Sequence, residues 1–185
     1  MQKITFLFFL TIFMATNSVG QILTSNDLTD KLITAFQTQN FESYKALMLD
    51  AVDYRELSGN FFKNNRIPES EKKHFAKNEK MFADSSNLQY RKVFERLLNK
   101  GLKLGIDWTQ IIKSDFIFKD DKPINSDIQT LGGHLNFTYK ETTFVIFGIE
   151  AVKLSSGYKI SNIRTILKGG VAQYVDADLL DDEDM

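Results

Sequence analysis

No cysteine occurs among the 185 residues of this chain. That absence excludes disulfides, thiolate metal ligands, a cysteine nucleophile and a lipid-carrying N-terminal cysteine. Histidine is nearly as scarce: with only His74 and His134, a three-histidine metal site is excluded by counting. Neither sign of charge dominates, since 23 Lys+Arg stand against 24 Asp+Glu, which excludes a uniformly basic nucleic-acid binder. The patterns for a phosphate-cradling loop, a dinucleotide-binding turn, a zincin helix and a serine-hydrolase elbow are missing too. No metal and no cofactor is therefore expected. What is present is 43% apolar and 12% aromatic residues, a composition that suits one folded domain and is too apolar for a disordered chain.

Long apolar runs are lacking except at the start. Lys3 precedes an unbroken apolar stretch from Ile4 to Met14, followed by small and polar residues up to Gly20. The stretch is too short for a membrane span, which needs about 20 apolar residues, and it has the layout of a secretory signal peptide. Cleavage near Gly20 predicts an exported protein, secreted or periplasmic, with no transmembrane segment in its mature chain. The remainder divides into one domain over 21–175 and an acidic, disordered tail over 176–185, with no internal repeat or linker between. Charge is segregated within it. Residues 63–103 carry eleven bases and five acids, and residues 176–185 carry six acids and no base. The near-zero total thus conceals a body of +4 and a tail of −6. Export further disfavours nucleic acid as a partner.

Asn26-Asp27 offers helix-starting oxygens, and the apolar spacing of Leu28, Leu32, Ala35 and Phe36 predicts an amphipathic helix over 27–39. Asn40 is placed to cap a second, short helix with Phe41, Tyr44, Leu47 and Met48 on one side. The alternation in Ala51 to Leu57 predicts a short strand, broken by Ser58-Gly59-Asn60. Pro68-Glu69 opens a helical stretch that loosens at Asp84 to Asn87 and stops at Gly105; whether one bent helix or two is left open. Beyond Gly105 the apolar period changes to 2, which predicts strands at 108–119, 128–140, 142–154 and 158–168. Their short connections imply antiparallel hairpins. The fold class is α+β: N-terminal helices packed on a curved antiparallel sheet of about four long strands.

The opening helical pair from Leu28 to Met48, the segment Val52 to Leu57 and the closing Gly157-Tyr158-Lys159-Ile160-Ser161-Asn162-Ile163 together resemble the NTF2-like, or cystatin-like, superfamily. The resemblance covers nearly the whole mature chain as a pattern of elements and carries no diagnostic motif. It implies a cone of sheet and helices with a pocket at the wide end, and a homodimer formed through the open sheet face. Some members are isomerases or dehydratases, whereas many bind ligands or partners without chemistry, so fold leaves function open.

The resemblance supplies one set of candidate residues. A carboxylate in an apolar cavity has a raised pKa and can act as a base, so Asp53 with Tyr54 or His134 forms a candidate catalytic set, and Tyr44, Trp108 and Tyr139 are candidate pocket walls. The plainer reading pairs Asp53 with Arg55 or water and uses Asp107 to cap a turn ahead of Trp108. His134 follows Gly132-Gly133 on the strand face opposite Leu135 and Phe137; it reads as an ordinary sheet residue, with the glycines marking a bulge. The basic segment supplies another set. Lys73, Lys77 and Lys80 recur at helical spacing beside Lys72, which would gather charge for an anionic surface, although interleaved Glu69, Glu71 and Glu79 suit a merely solvated face. Function is accordingly expected to be non-catalytic binding of a small apolar ligand or a protein partner. The alternatives are a small isomerase or lyase and an anionic-surface binder through 63–103.

Overall fold

The computed structural model of the chain describes residues 24–64, 68–119 and 129–169. The expected signal peptide, the turn at Asp120 to Pro123 and the acidic tail lie outside the described residues.

Helix α1 (Ser25–Gln37) starts two residues earlier than its apolar spacing suggests, because Thr24 and Asp27 form a reciprocal capping box. Helix α2 (Phe41–Lys45) begins at Asn40, whose side chain accepts from the Ser43 amide, as expected. The chain then turns through Ala46-Leu47 and forms a single parallel bridge from Met48 to Ile160: the Leu49 amide donates to the Ile160 carbonyl and the Ile160 amide to the Leu47 carbonyl.

The strand expected over 51–57 is instead the start of helix α3 (Ala51–Asn64), which passes through Ser58-Gly59-Asn60 without a break. Asp50 is the reason. Its Oδ1 accepts from the amides of Val52 and Asp53, and Asp53 Oδ2 accepts back from the Asp50 amide. This reciprocal pair is a helix start. The alternation in 51–57 is incidental, and the apolar Val52 is left 68% exposed.

Helix α4 (Glu69–Lys103) is one continuous element of 35 residues, roughly 50 Å long. Asp84 to Asn87 do not interrupt it. Half-buried and buried residues on either side of that patch, Phe82, Tyr90, Phe94 and Leu97, anchor the helix to α3 and the core, and packing of this kind outweighs weak local propensity. The helix ends at Leu104, followed by Gly105 with φ +80°, the expected glycine stop.

A single 3-10 turn, η1 (Trp108–Gln110), takes the place of the first residues expected in a strand, with Asp107 capping it. Four strands follow: β1 (Ile112–Lys119), β2 (Thr130–Tyr139), β3 (Thr142–Leu154) and β4 (Gly157–Lys168). They form an open antiparallel sheet in sequential order. The register slips at each interface: between Lys113 and Phe116 on β1, between Ile146 and Ile149 on β3, and between Ile160 and Asn162 on β4. Each slip inserts an extra residue, which bends and twists its strand.

Strand β2 alternates strictly between half-buried and buried positions, so Leu131, Leu135 and Phe137 face the helices while His134 and Asn136 face away. Between sheet and helices lies a chain of rings: Tyr44 on Phe94, Phe94 on Phe36, Phe36 stacked on Trp108 at 4.9 Å, Trp108 on Phe137, and Phe137 on Phe144. No helix among the described residues is long and apolar enough to cross a membrane.

Candidate ligand-binding site

Among the described residues, a half-open cavity lies beside the segment that follows α2. It measures about 220 Å³ and is lined by Glu42, Lys45 and Ala46 of α2 and its end, Met48 to Asp50, Ser86 and Tyr90 of α4, and Lys159 of β4. Its walls are brought together by Leu47–Leu49 pairing with β4 at Ile160, which sets α2, the start of α3 and Lys159 side by side. Tyr90 closes the back. Its hydroxyl donates to the Leu49 carbonyl at 2.8 Å, and burial pushes its ionisation well above the ordinary phenol range.

Lys159 is the most constrained charge at the cavity, with a side chain only 19% exposed. One N–H donates to the Ala46 carbonyl at 2.8 Å, and Asp53 Oδ2 stands 3.8 Å away, beyond hydrogen-bond distance. An ammonium has three donors, so these contacts leave it able to donate into the cavity. Lys45 is more open, 42% exposed, with Glu42 at 3.8 Å. The lining therefore presents two ammoniums and two carboxylates, Glu42 and Asp50, whose formal charges cancel.

Asp53 is held just behind this wall. Burial raises its pKa, and the bond from the Asp50 amide and the nearby Lys159 act against that rise. Its Oδ2 caps α3 and its charge faces Lys159, not Arg55, which pairs with Glu79 at 2.6 Å. Tyr54 turns to α4 and stacks on Phe82. His134 sits on the sheet face turned away from the helices, stacked on Phe147, so Asp53, Tyr54 and His134 do not share a site.

Of the expected pocket walls, Tyr44 and Trp108 are brought together, but as core. Both pack against Phe36, and the Trp108 indole N–H donates to the Leu98 carbonyl at 3.0 Å. The Tyr44 hydroxyl is buried without a hydrogen-bond partner, and burial raises its pKa. Tyr139 is buried at the hairpin end of β2 beneath Lys140. None of the three lines the cavity. Lys72, Lys73, Lys77 and Lys80 are all exposed on α4, with Glu69 3.3 Å from Lys72.

Sequence reasoning missed Lys45, Asp50, Ser86, Tyr90 and Lys159. One usable signal existed: Asp50-x-x-Asp53 is a capping pattern, and reading it so places a helix start, with its cluster of polar groups, at the end of α2. Nothing local marks Lys159 or Ser86. Searches against family models, curated proteins and solved structures found no match for this chain.

Proposed function

We propose that this chain is an exported, non-catalytic binding domain of NTF2-like type whose ligand is a small, polar, uncharged molecule held in the cavity between α2, α4 and β4. The carrying observation is the lining: two ammoniums and two carboxylates with cancelling charge, around a half-buried lysine that retains donor capacity. An anion would meet Glu42 and Asp50 and a cation would meet Lys45 and Lys159, whereas hydroxyl or amide groups can accept from the ammoniums and donate to the carboxylates. This replaces the apolar ligand of the sequence reading, because the apolar interior between sheet and helices is occupied by Phe36, Tyr44, Phe94 and Trp108. A non-catalytic role is supported by the separation of Asp53, Tyr54 and His134 and by the engagement of Asp53 in a helix cap.

The test is a thermal-shift and NMR screen of the mature protein against monosaccharides, polyols and small amides, with acetate, phosphate and ammonium as charged probes. Neutral probes should perturb Lys159 and Tyr90, and Ser86→Trp, which fills the cavity, should abolish the effect. Binding of the charged probes alone would overturn the ligand class; no effect from any probe would overturn the site.

A second reading has its own support. Lys73, Lys77 and Lys80 lie at spacings of four and three on one uninterrupted helix and are exposed, so α4 can present a positive stripe to an anionic surface.

A further inference from the structure

On the sheet face turned away from the helices, β3 carries one residue too many. Gly133 pairs with Ile149 and Leu135 with Ile146, so Phe147 and Gly148 together face His134. Gly148 takes φ +68°, a left-handed conformation that favours glycine. A bulge leaves a backbone amide outside the ladder, and here the side chain of His134 receives it: the Gly148 N–H donates to His134 Nδ1 at 3.2 Å. The imidazole is fixed from its other side by Phe147, stacked at 4.3 Å between centroids and 8° from parallel. Arg164 of β4 closes the cluster. Its side chain lies so near Gly148 that an added Cβ would come within 2.6 Å of Arg164 Cγ.

We infer that His134, Gly148 and Arg164 form a pH-operated latch, in which neutral imidazole holds the β3 bulge closed and protonation releases it. Only the neutral ring has a lone pair on Nδ1, and accepting there places its proton on Nε2. Protonation removes the acceptor, leaves the Gly148 amide without its partner and sets a second cation near Arg164. The surroundings supply little compensation. Strand β1 offers Ile117 opposite His134 and, two residues before it at the β1 bulge, the exposed carboxylate of Asp115; β2 itself has Gly132 and Asn136 on this face, and β4 brings Arg164, the one charged group among the described residues that acts on the imidazole. The nearby acid on β3, Glu150, is already 3.6 Å from Arg164.

Burial, and secondarily Arg164, lower the imidazole pKa below its ordinary 6.5. The sign follows from linkage: with the folded value depressed, the unfolded or opened chain binds more protons below about pH 6.5. The latch's stability is then complete above that pH and is lost as pH falls towards the depressed native value. For an exported protein, acidification of its surroundings would act directly on this strand.

The experiment follows the Gly148 amide of the full mature protein by hydrogen exchange, corrected for intrinsic rate, alongside His134 ring shifts from pH 7.5 to 4.5. Gly148 protection should fall by up to about tenfold per pH unit between about 6.5 and the native imidazole pKa. His134→Asn, which retains an acceptor near the Nδ1 position without titrating, should abolish that dependence. Arg164→Gln should move the transition to higher pH, and it provides an independent reading if His134→Asn does not fold. Gly148 protection that ignores pH, or a His134 pKa at or above 6.5, would overturn the latch.

Discussion

Gly101 lies where α4 meets the indole of Trp108. A Cβ there would overlap the ring at Cζ2 and Cε2, so the helix approaches this closely only because residue 101 has no side chain. Trp108 cannot retreat easily: it is held by Phe36, by Phe137 and by its bond to the Leu98 carbonyl. Gly101→Ala should therefore cost about 2–3 kcal/mol by overpacking, despite the better helix propensity of alanine. Urea unfolding would measure this, and a stabilised variant would show that the indole can move. Residue identity alone could not have assigned this role, since an isolated helical glycine reads as a weakness in the helix. His134 was more legible. Its face was set by strand alternation and its bulge was expected, but the extra residue lies across the ladder, at Gly148, and not among the neighbouring glycines.

Among elements, α3 and α4 separate local preference from tertiary context. Seven alternating residues suit a strand and a helix almost equally well, and the Asp50–Asp53 cap decides for helix. In α4, Asp84-Ser85-Ser86-Asn87 weakens the helix locally, but the ends of that patch are anchored by Phe82 against Tyr54 and by Tyr90 against Leu49. Because the helix is continuous here, Asn87→Pro should cost about 3 kcal/mol or more by losing an internal bond and clashing with the preceding turn, while exposed Asn87→Ala should add a few tenths of a kcal/mol. Thermal unfolding followed by circular dichroism compares the two. A neutral Asn87→Pro variant would mean that the helix is interrupted there. Most of the strands needed no such arbitration: β3 has the bounds that its alternation predicts, β4 differs by one residue and β2 by at most two, whereas β1 begins four residues late because Trp108–Gln110 form a 3-10 turn.

At the scale of the whole molecule, charge is the property that remains to be tested. Without residues 1–20 the chain carries −2, and without residues 176–185 as well it carries +4. If the Lys73, Lys77 and Lys80 stripe binds anionic surfaces, removing 176–185 should strengthen retention on phosphatidylglycerol vesicles. Retention should weaken steeply with added salt, since screening shortens the reach of exposed charges to about 8 Å at physiological ionic strength. Equal retention of chains 21–185 and 21–175 would assign the stripe to solvation alone. The same comparison with Lys73, Lys77 and Lys80 changed to Gln separates a specific face from net charge.

Local order was sufficient to determine the α+β class of this protein, the approximate positions of β2, β3 and β4, the buried face of β2, the caps at Asn40 and Asp107 and the glycine stop at Gly105. Each depends on residues a few positions apart, where the period of apolar side chains and the reach of a capping oxygen are fixed by backbone geometry. Tertiary structure alone decided the continuity of α4, the packing of Tyr44 and Trp108 as core, and the cavity. Lys159 meets the Ala46 carbonyl across 113 residues of sequence, and Tyr90 reaches the Leu49 carbonyl across 41. Such contacts exist only once β4 pairs with the segment after α2, and no periodicity within either segment records that pairing.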